Sequence, residues 1–307
     1  MKVGKSVYKE IAFFAENLGA KIEYDAPMKK YTTFKCGGNA SLLITPDSAD
    51  TLGQIIAFCH SKSIKPLIIG NGSNLLVSDN GIDGVVIKIG SQMSKVELLD
   101  ETTIFCEAGA SLKSVCMFAY ENSLSGLEFA YGIPGNVGGA VYMNAGAYGG
   151  EMKDVLYSVN HINDKGNTGE LSRDSLDLGY RHSAYTKNGY TITSAVLKLT
   201  KSYKKNIKAA MDDKLQRRKD KQPLEYPSAG STFKRPEGYF AGALIQDSGL
   251  KGYTVGGAQV SEKHAGFVIN KGGATATDVI TLIGDVQRIV KEKFGVTLET
   301  EVKIIGK

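Results

Sequence analysis

The chain has 307 residues, 42% hydrophobic and 22% charged, enough to bury a substantial core and to divide into two or three domains. Its net charge of +5 is too mild for the basic stripe of a nucleic-acid-binding protein and suits a phosphorylated small molecule. No apolar run approaches a membrane span, and Lys2, Lys5, Lys9 and Glu10 leave no room for a signal-peptide core, so the expectation is a cytoplasmic protein. Cys36, Cys59, Cys106 and Cys116 lack C-x-x-C spacing and sit among apolar residues, which predicts buried, reduced thiols. His60, His161, His182 and His264 show no ligand spacing, and no metal site is expected.

In chain order, residues 6–18 carry a helical period that stops at Gly19, a C-cap. A second helix begins around Asp47/Ser48 and presents Leu52, Ile55, Ile56 and Cys59 on one face. After Pro66 the run LIIG reads as a strand leading into the loop GNGSN, and Leu75-Leu76-Val77 reads as another strand. Val85–Ile89 has strand character, Val96–Glu107 holds two short strands, and Ser111–Glu121 is helical. Val155–Ile162 and Tyr190–Leu199 alternate as half-buried strands. The composition changes near Tyr203. Lys204–Lys221 is a basic helix with a solvated face that connects two domains. Asp278 is placed as the cap of an amphipathic helix with Val279, Leu282, Ile283, Val286, Ile289 and Val290 in one stripe before Gly295, and Thr297–Ile305 is predicted as a closing strand. This order argues against a simple parallel sheet.

Chemistry is most visible where glycine is densest. Residues 132–150 read GIPGNVGGAVYMNAGAYGG, and such density is tolerated where tight turns or close backbone approach to a ligand require it. Gly70-Asn71-Gly72-Ser73-Asn74 follows a strand as a phosphate loop does, yet lacks the Rossmann third glycine and the Walker lysine. Alone it is as compatible with a turn as with a ligand loop. Together the two loops suggest a dinucleotide gripped between subdomains without a helix N-terminus. Ser228–Lys234 gathers hydroxyls and a lysine beside Arg235, which suits an anionic substrate, although a serine-rich turn is the plainer reading. Glu299 and Glu301, two apart on the predicted strand, share one face. Glu299 is expected to be solvated, whereas a carboxylate at a strand end can enter a cleft. For Arg181, in GYRHS, spacing leaves a surface arginine and a substrate clamp both open.

YTTFKCGG, GNGSNLLVSD, GIPGNVGGAVYMNAGAYGGE, YRHSAY, PSAGSTFKRP and LETEVKIIG occur in this order. In combination they closely resemble the UDP-N-acetylenolpyruvoylglucosamine reductases (UDP-N-acetylmuramate dehydrogenases) over nearly the whole chain. The resemblance implies an α+β architecture: the two-subdomain FAD-binding fold of the vanillyl-alcohol oxidase type (residues 1–83 and 84–203), then a separate α+β substrate-binding domain (204–307). It implies non-covalent FAD, NADPH as reductant, and a UDP-sugar substrate in peptidoglycan precursor synthesis; neither a nucleic-acid nor a membrane partner is expected, and no oligomeric state is predicted.

By the same resemblance Gly70, Asn71, Gly72, Ser73, Asn74, Gly132, Pro134, Gly135, Gly138, Gly139, Asn144 and Gly146 bind the cofactor, and Lys234 and Tyr180 touch the substrate. Arg181, Ser231 and Glu301 match the catalytic positions. Hydride addition to C3 of the enolpyruvyl group builds negative charge that a cation, Arg181, stabilises. The carbanion-like C2 is basic enough to take a proton from a hydroxyl as weakly acidic as that of Ser231. Glu301 polarises and orients the enolpyruvyl group. The strand after Arg181 follows almost directly, leaving no room for the inserted tyrosine lid of some members, so the chain resembles the shorter class, with Tyr131, Tyr142 and Tyr148 packing on the flavin side. An oxidase of the same fold is the nearest alternative, but it needs no proton donor to carbon. A flavin-free nucleotide-binding module is the alternative from another class.

Overall fold

The helix Lys5–Asn17 stops at Gly19, whose φ of +87° ends it where the period predicts. Its apolar stripe, with Ile11, Ala12 and Ala15, is buried. The computed structural model describes residues 5–306; Lys2 of the charged N-terminal stretch lies outside the described residues. The helix Ala49–Ser61 opens on Ser48, whose Oγ accepts from the Thr51 amide at 3.2 Å, and it buries the predicted Leu52, Ile55, Ile56 and Cys59. The helix Leu112–Glu121 is capped in the same way by Ser111, at 3.0 Å from the Ser114 amide. Such caps satisfy amides that the helix leaves unbonded, typically for about 1 kcal/mol each.

The sheets are mixed. One holds five strands in the order Thr168–Ser172, Leu156–Ile162, Thr191–Lys198, Thr103–Glu107, Val96–Leu98, each antiparallel to its neighbour. A four-stranded sheet runs Lys21–Pro27, Asn39–Thr45, Ile82–Lys88, Leu67–Ile69, and its last two strands are parallel, with Leu67 opposite Val86. The expected departure from a purely parallel sheet is therefore present.

The chain folds into two compact units. One takes the chain up to Tyr24, Leu42–Asn71 and Gly84–Arg217; the other takes Asp25–Ser41, Gly72–Asp83 and the chain from Arg218 onward. The first has a core running from Ile11 through Leu42, Ile55, Val85, Ile104, Val115, Val137 and Val159 to Met211. The second is centred on the helix Ala276–Phe294, whose Val279, Leu282, Ile283, Val286 and Val290 are buried. That helix packs on a small antiparallel sheet of Thr254–Val255, Ala258–Val260 and Val268–Asn270.

Three local expectations are corrected. The glycine segment is not loop throughout: Val137–Tyr142 is a six-residue helix. Its small residues allow close packing on the five-stranded sheet, where a Cβ added to Gly138 would lie 3.0 Å from the Ala108 methyl. The cap of the last helix is Thr275; Asp278 sits three residues in and completes a capping box, its carboxylate accepting from the Thr275 amide at 2.9 Å. The closing strand is only Lys303–Ile305, parallel to Leu75–Val77. Ahead of it, the Glu301 amide donates to the Thr232 carbonyl at 2.8 Å, so the backbone there is held by a loop and not by a strand ladder. Lys204–Lys221 is the predicted helix, with only Ile207 and Met211 buried.

Candidate active site

The first unit holds a cavity of about 640 Å3, within the ~300–1,000 Å3 span of small-molecule sites, and of the expected cofactor residues Asn71 lines it. Asn71, Lys88, Ser91, Gly109, Ser111 and Asn136 are in its wall. Asn136 is 6% exposed. Its Nδ2 donates to the Gly109 carbonyl, while its Oδ1 is buried without a hydrogen-bond partner. A buried acceptor left this way costs about 1–3 kcal/mol, and a ligand bearing N–H or O–H groups removes the cost. A Cβ on Gly70 would sit 3.0 Å from that same Oδ1, so glycine there avoids crowding the buried oxygen. Lys88 brings a cation and Ser91 a hydroxyl. An orphaned acceptor, a cation and glycine-bared backbone in one cavity fit a flavin dinucleotide, with its hydroxyl donors and its diphosphate.

Within the glycine segment the residues divide. Gly138 and Gly150 serve packing: a Cβ at Gly150 would come 2.9 Å from the Phe129 ring. Gly139 instead faces open space, with no atom within 4 Å of an added Cβ. Asn144 is 1% exposed and every polar atom of its side chain is engaged within the protein. Its Nδ2 donates to Glu151 Oε2 at 2.6 Å and to the Gly179 carbonyl at 3.0 Å, and its Oδ1 accepts from the Lys153 amide at 2.9 Å.

Arg181 is in the first unit too. Gly179 and His182 exchange backbone hydrogen bonds of 3.1 and 3.2 Å, which places Tyr180 and Arg181 at the tip of a two-residue turn. Arg181 has a φ of +53°, in the left-handed region that costs a non-glycine residue about 1–3 kcal/mol. Its guanidinium stacks on the Tyr180 ring, 5.0 Å from the centroid. His182 anchors the turn's far side, with Nε2 3.0 Å from Asp177 Oδ2 and Nδ1 2.8 Å from Thr186 Oγ1.

Ser231 and Glu301 belong to the second unit, and the structure brings them together around Thr232. The Thr232 amide donates to the Gly266 carbonyl at 2.9 Å and its Oγ1 accepts from the Val268 amide at 2.9 Å. Its carbonyl receives the Glu301 amide. Thr232 and Phe233 are buried, while Ser231, Lys234 and Glu301 remain partly exposed. Gly230, with a φ of +75°, supplies the bend that precedes the serine. Asn74, from the loop GNGSN, reaches the same C-terminal segment: its Nδ2 donates to the Glu301 carbonyl at 3.2 Å and its own carbonyl accepts from the Lys303 amide at 2.9 Å. Lys234 Nζ is 2.9 Å from Glu299 Oε2, and Glu299, solvated as expected with 72% of its side chain exposed, also pairs with a candidate substrate cation.

Sequence reasoning passed over Asn136, Lys88 and Gly109. Asn136 had a usable signal, being the single amide side chain in GIPGNVGG. Lys88 ends the strand Ile82–Lys88 and Gly109 lies two residues past Thr103–Glu107, neither with a distinguishing pattern. Among the described residues no His/Cys/Asp/Glu group is arranged to hold a metal ion, and no helix is long and apolar enough to cross a membrane. The four cysteines are buried and unpaired in disulfides, as expected, and burial pushes the Cys59 thiol up to about 12.

Comparison with known proteins agrees with this arrangement. A FAD binding domain family matches residues 40–172, and the C-terminal domain of UDP-N-acetylenolpyruvoylglucosamine reductase matches residues 222–305. The UDP-N-acetylenolpyruvoylglucosamine reductase of Clostridium perfringens (strain SM101) is 52% identical over 93% of this chain and 93% of its own. That of Agathobacter rectalis is 54% identical over 92% of this chain and 93% of its own. The crystal structure of the Thermus caldophilus enzyme superposes with a TM-score of 0.81 at 36% identity, covering 94% of this chain and 100% of that one. The α+β architecture of an FAD-binding portion followed by a distinct C-terminal domain is thus the one expected, and the chain belongs to the UDP-N-acetylenolpyruvoylglucosamine reductase family of FAD-dependent oxidoreductases.

Proposed function

We propose that the protein is a cytoplasmic enzyme that reduces UDP-N-acetylglucosamine enolpyruvate to UDP-N-acetylmuramate for peptidoglycan precursor synthesis, with NADPH as the reductant. The observation that supports this reading most directly is the Thr232 carbonyl accepting the Glu301 amide, which ties the backbone next to the partly exposed Ser231 to that of Glu301 in a C-terminal domain of the reductase type. An oxidase that only withdraws hydride has no use for a hydroxyl that donates a proton to carbon.

Residues 1–83 and 84–203 serve as the two FAD subdomains and 204–307 as the substrate domain. Gly70, Asn71, Gly72, Ser73 and Asn74 hold the cofactor non-covalently together with Gly132, Pro134, Gly135, Gly138, Gly139 and Gly146, and Asn136 and Lys88 join them from the cavity wall. FAD held by these residues, once reduced by NADPH, would supply the hydride for C3 of the enolpyruvyl group. Arg181 stabilises the negative charge that develops toward the substrate carboxylate. Glu301 orients and polarises the same group, and Ser231 Oγ delivers its proton to C2. Lys234 and Tyr180 contact the substrate, with Lys234 exchanging Glu299 for an anionic group.

The purified protein is expected to be yellow, to be bleached by NADPH without oxygen, and to regain its oxidised flavin spectrum on adding UDP-N-acetylglucosamine enolpyruvate. A flavin that is reduced by NADPH and not reoxidised by that compound would overturn the proposal.

A further inference from the structure

We propose that Asn144 and Ser183 are positioning residues for Arg181, stapling its strained turn from both sides to the end of the glycine-segment helix. The inference rests on the reading that Arg181 acts on the substrate. Two residues before Arg181, the Gly179 carbonyl accepts from Asn144 Nδ2 at 3.0 Å. Two residues after it, the fully buried Ser183 donates from Oγ to the Tyr142 carbonyl at 2.8 Å. Tyr142 is the last residue of the helix Val137–Tyr142, and Asn144 follows two residues later, so both bonds end on one short stretch.

Asn144 is held as firmly as it holds. Its second amide hydrogen goes to Glu151, which also pairs with Lys153, and the Lys153 amide returns to Asn144 Oδ1. Asn144 and Arg181 both have left-handed backbone, with φ of +41° and +53°. A non-glycine residue holds such a conformation only where its surroundings fix it, and here the fixing bonds come from side chains distant in sequence. With both side-chain polar atoms bonded to protein groups and the residue at 1% exposure, Asn144 acts through Gly179 and not by touching a bound molecule. The Arg181 guanidinium is thereby given one starting geometry, and misplacement of a charge-stabilising group by about 1 Å can cost about a hundredfold in rate.

The test uses the holoenzyme, reduced with dithionite and mixed anaerobically with UDP-N-acetylglucosamine enolpyruvate while flavin reoxidation is followed. Asn144→Ala is expected to slow reoxidation about ten- to a hundredfold, and Ser183→Ala about three- to tenfold, with FAD content and absorbance spectrum unchanged. Combined with Arg181→Ala, Asn144→Ala is expected to add nothing, because its effect passes through the missing guanidinium. Reoxidation within twofold of the parent for Asn144→Ala, or full additivity in the double variant, overturns the proposal. So does loss of FAD from both Asn144→Ala and Ser183→Ala; if only Asn144→Ala loses FAD, Ser183→Ala decides by the same criteria. If Arg181→Ala itself reoxidises at the parental rate, the assignment of Arg181 fails and takes the staple with it. A slow Arg181→Ala beside a fast Asn144→Ala sinks the staple alone.

Discussion

The glycine segment at 132–150 and the serine motif at 227–235 solve opposite problems. The first removes side chains, so that backbone packs directly on neighbouring side chains and one face stays open: Gly138 abuts the Ala108 methyl, Gly150 abuts Phe129, and an added Cβ at Gly139 meets nothing. The second keeps its side chains and spends them on hydrogen bonds, with Thr232 bonded through its amide, carbonyl and hydroxyl while Ser231 stays partly exposed beside it. The difference teaches where binding and chemistry part company. A cofactor cradle needs space and bare amides, whereas a proton donor needs a rigid neighbour to aim it. Damage to the glycine segment should therefore appear in stability and FAD affinity, and damage to the serine motif in rate.

The largest separation is expected from Ser231→Ala, which should leave FAD content and NADPH reduction intact while slowing flavin reoxidation by substrate about a hundred- to ten-thousandfold. Rapid-mixing absorbance measures both half-reactions, and equal loss in the two would erase the contrast. Gly150→Val should cost about 1–3 kcal/mol of stability through overpacking against Phe129, read as a lower thermal midpoint of the holoprotein. An unchanged midpoint would mean that the close approach does not constrain the segment. For Asn136→Ala, fluorescence titration of the apoprotein should show FAD binding weakened about three- to tenfold, the worth of one hydrogen bond, with the turnover of FAD-saturated enzyme within about twofold of the parent. Unchanged affinity would remove the orphaned Oδ1 from the cofactor's partners. The smallest effect belongs to Glu299→Gln. The Lys234–Glu299 pair is solvent-exposed, so stability should move by less than about 0.5 kcal/mol in denaturant titration, while the substrate KM falls as Lys234 is released. A raised KM would show that the carboxylate aids binding.

Much of this was legible before the fold. Helical period and caps placed Lys5–Asn17, Ala49–Ser61 and Leu112–Glu121 within a residue or two, because each stripe meets its core through local spacing alone. Alternation found Leu156–Ile162 and Thr191–Lys198 for the same reason. The failures share another cause. Thr297–Ile305 alternates like a strand, yet most of it is held by a loop more than sixty positions away, since Thr232 and not a neighbouring strand accepts the Glu301 amide. The helix Val137–Tyr142 was hidden by its glycines, whose poor intrinsic helix preference is overridden by close packing on the sheet.

The sequence by itself determined that a mildly basic chain of this size carries two glycine-rich loops, a serine motif and an isolated arginine in a family-specific order. Those are properties of composition and spacing, and they survive without coordinates. Only the tertiary structure decided which of these residues border open space and which hold the protein together. It separated Gly139 from Gly150, exposed the unpaired oxygen of Asn136, and turned Asn144 inward onto the Arg181 turn. The physical reason is that hydrogen-bond satisfaction is a property of whatever packs nearby, and for these side chains the partners lie up to tens of residues away along the chain.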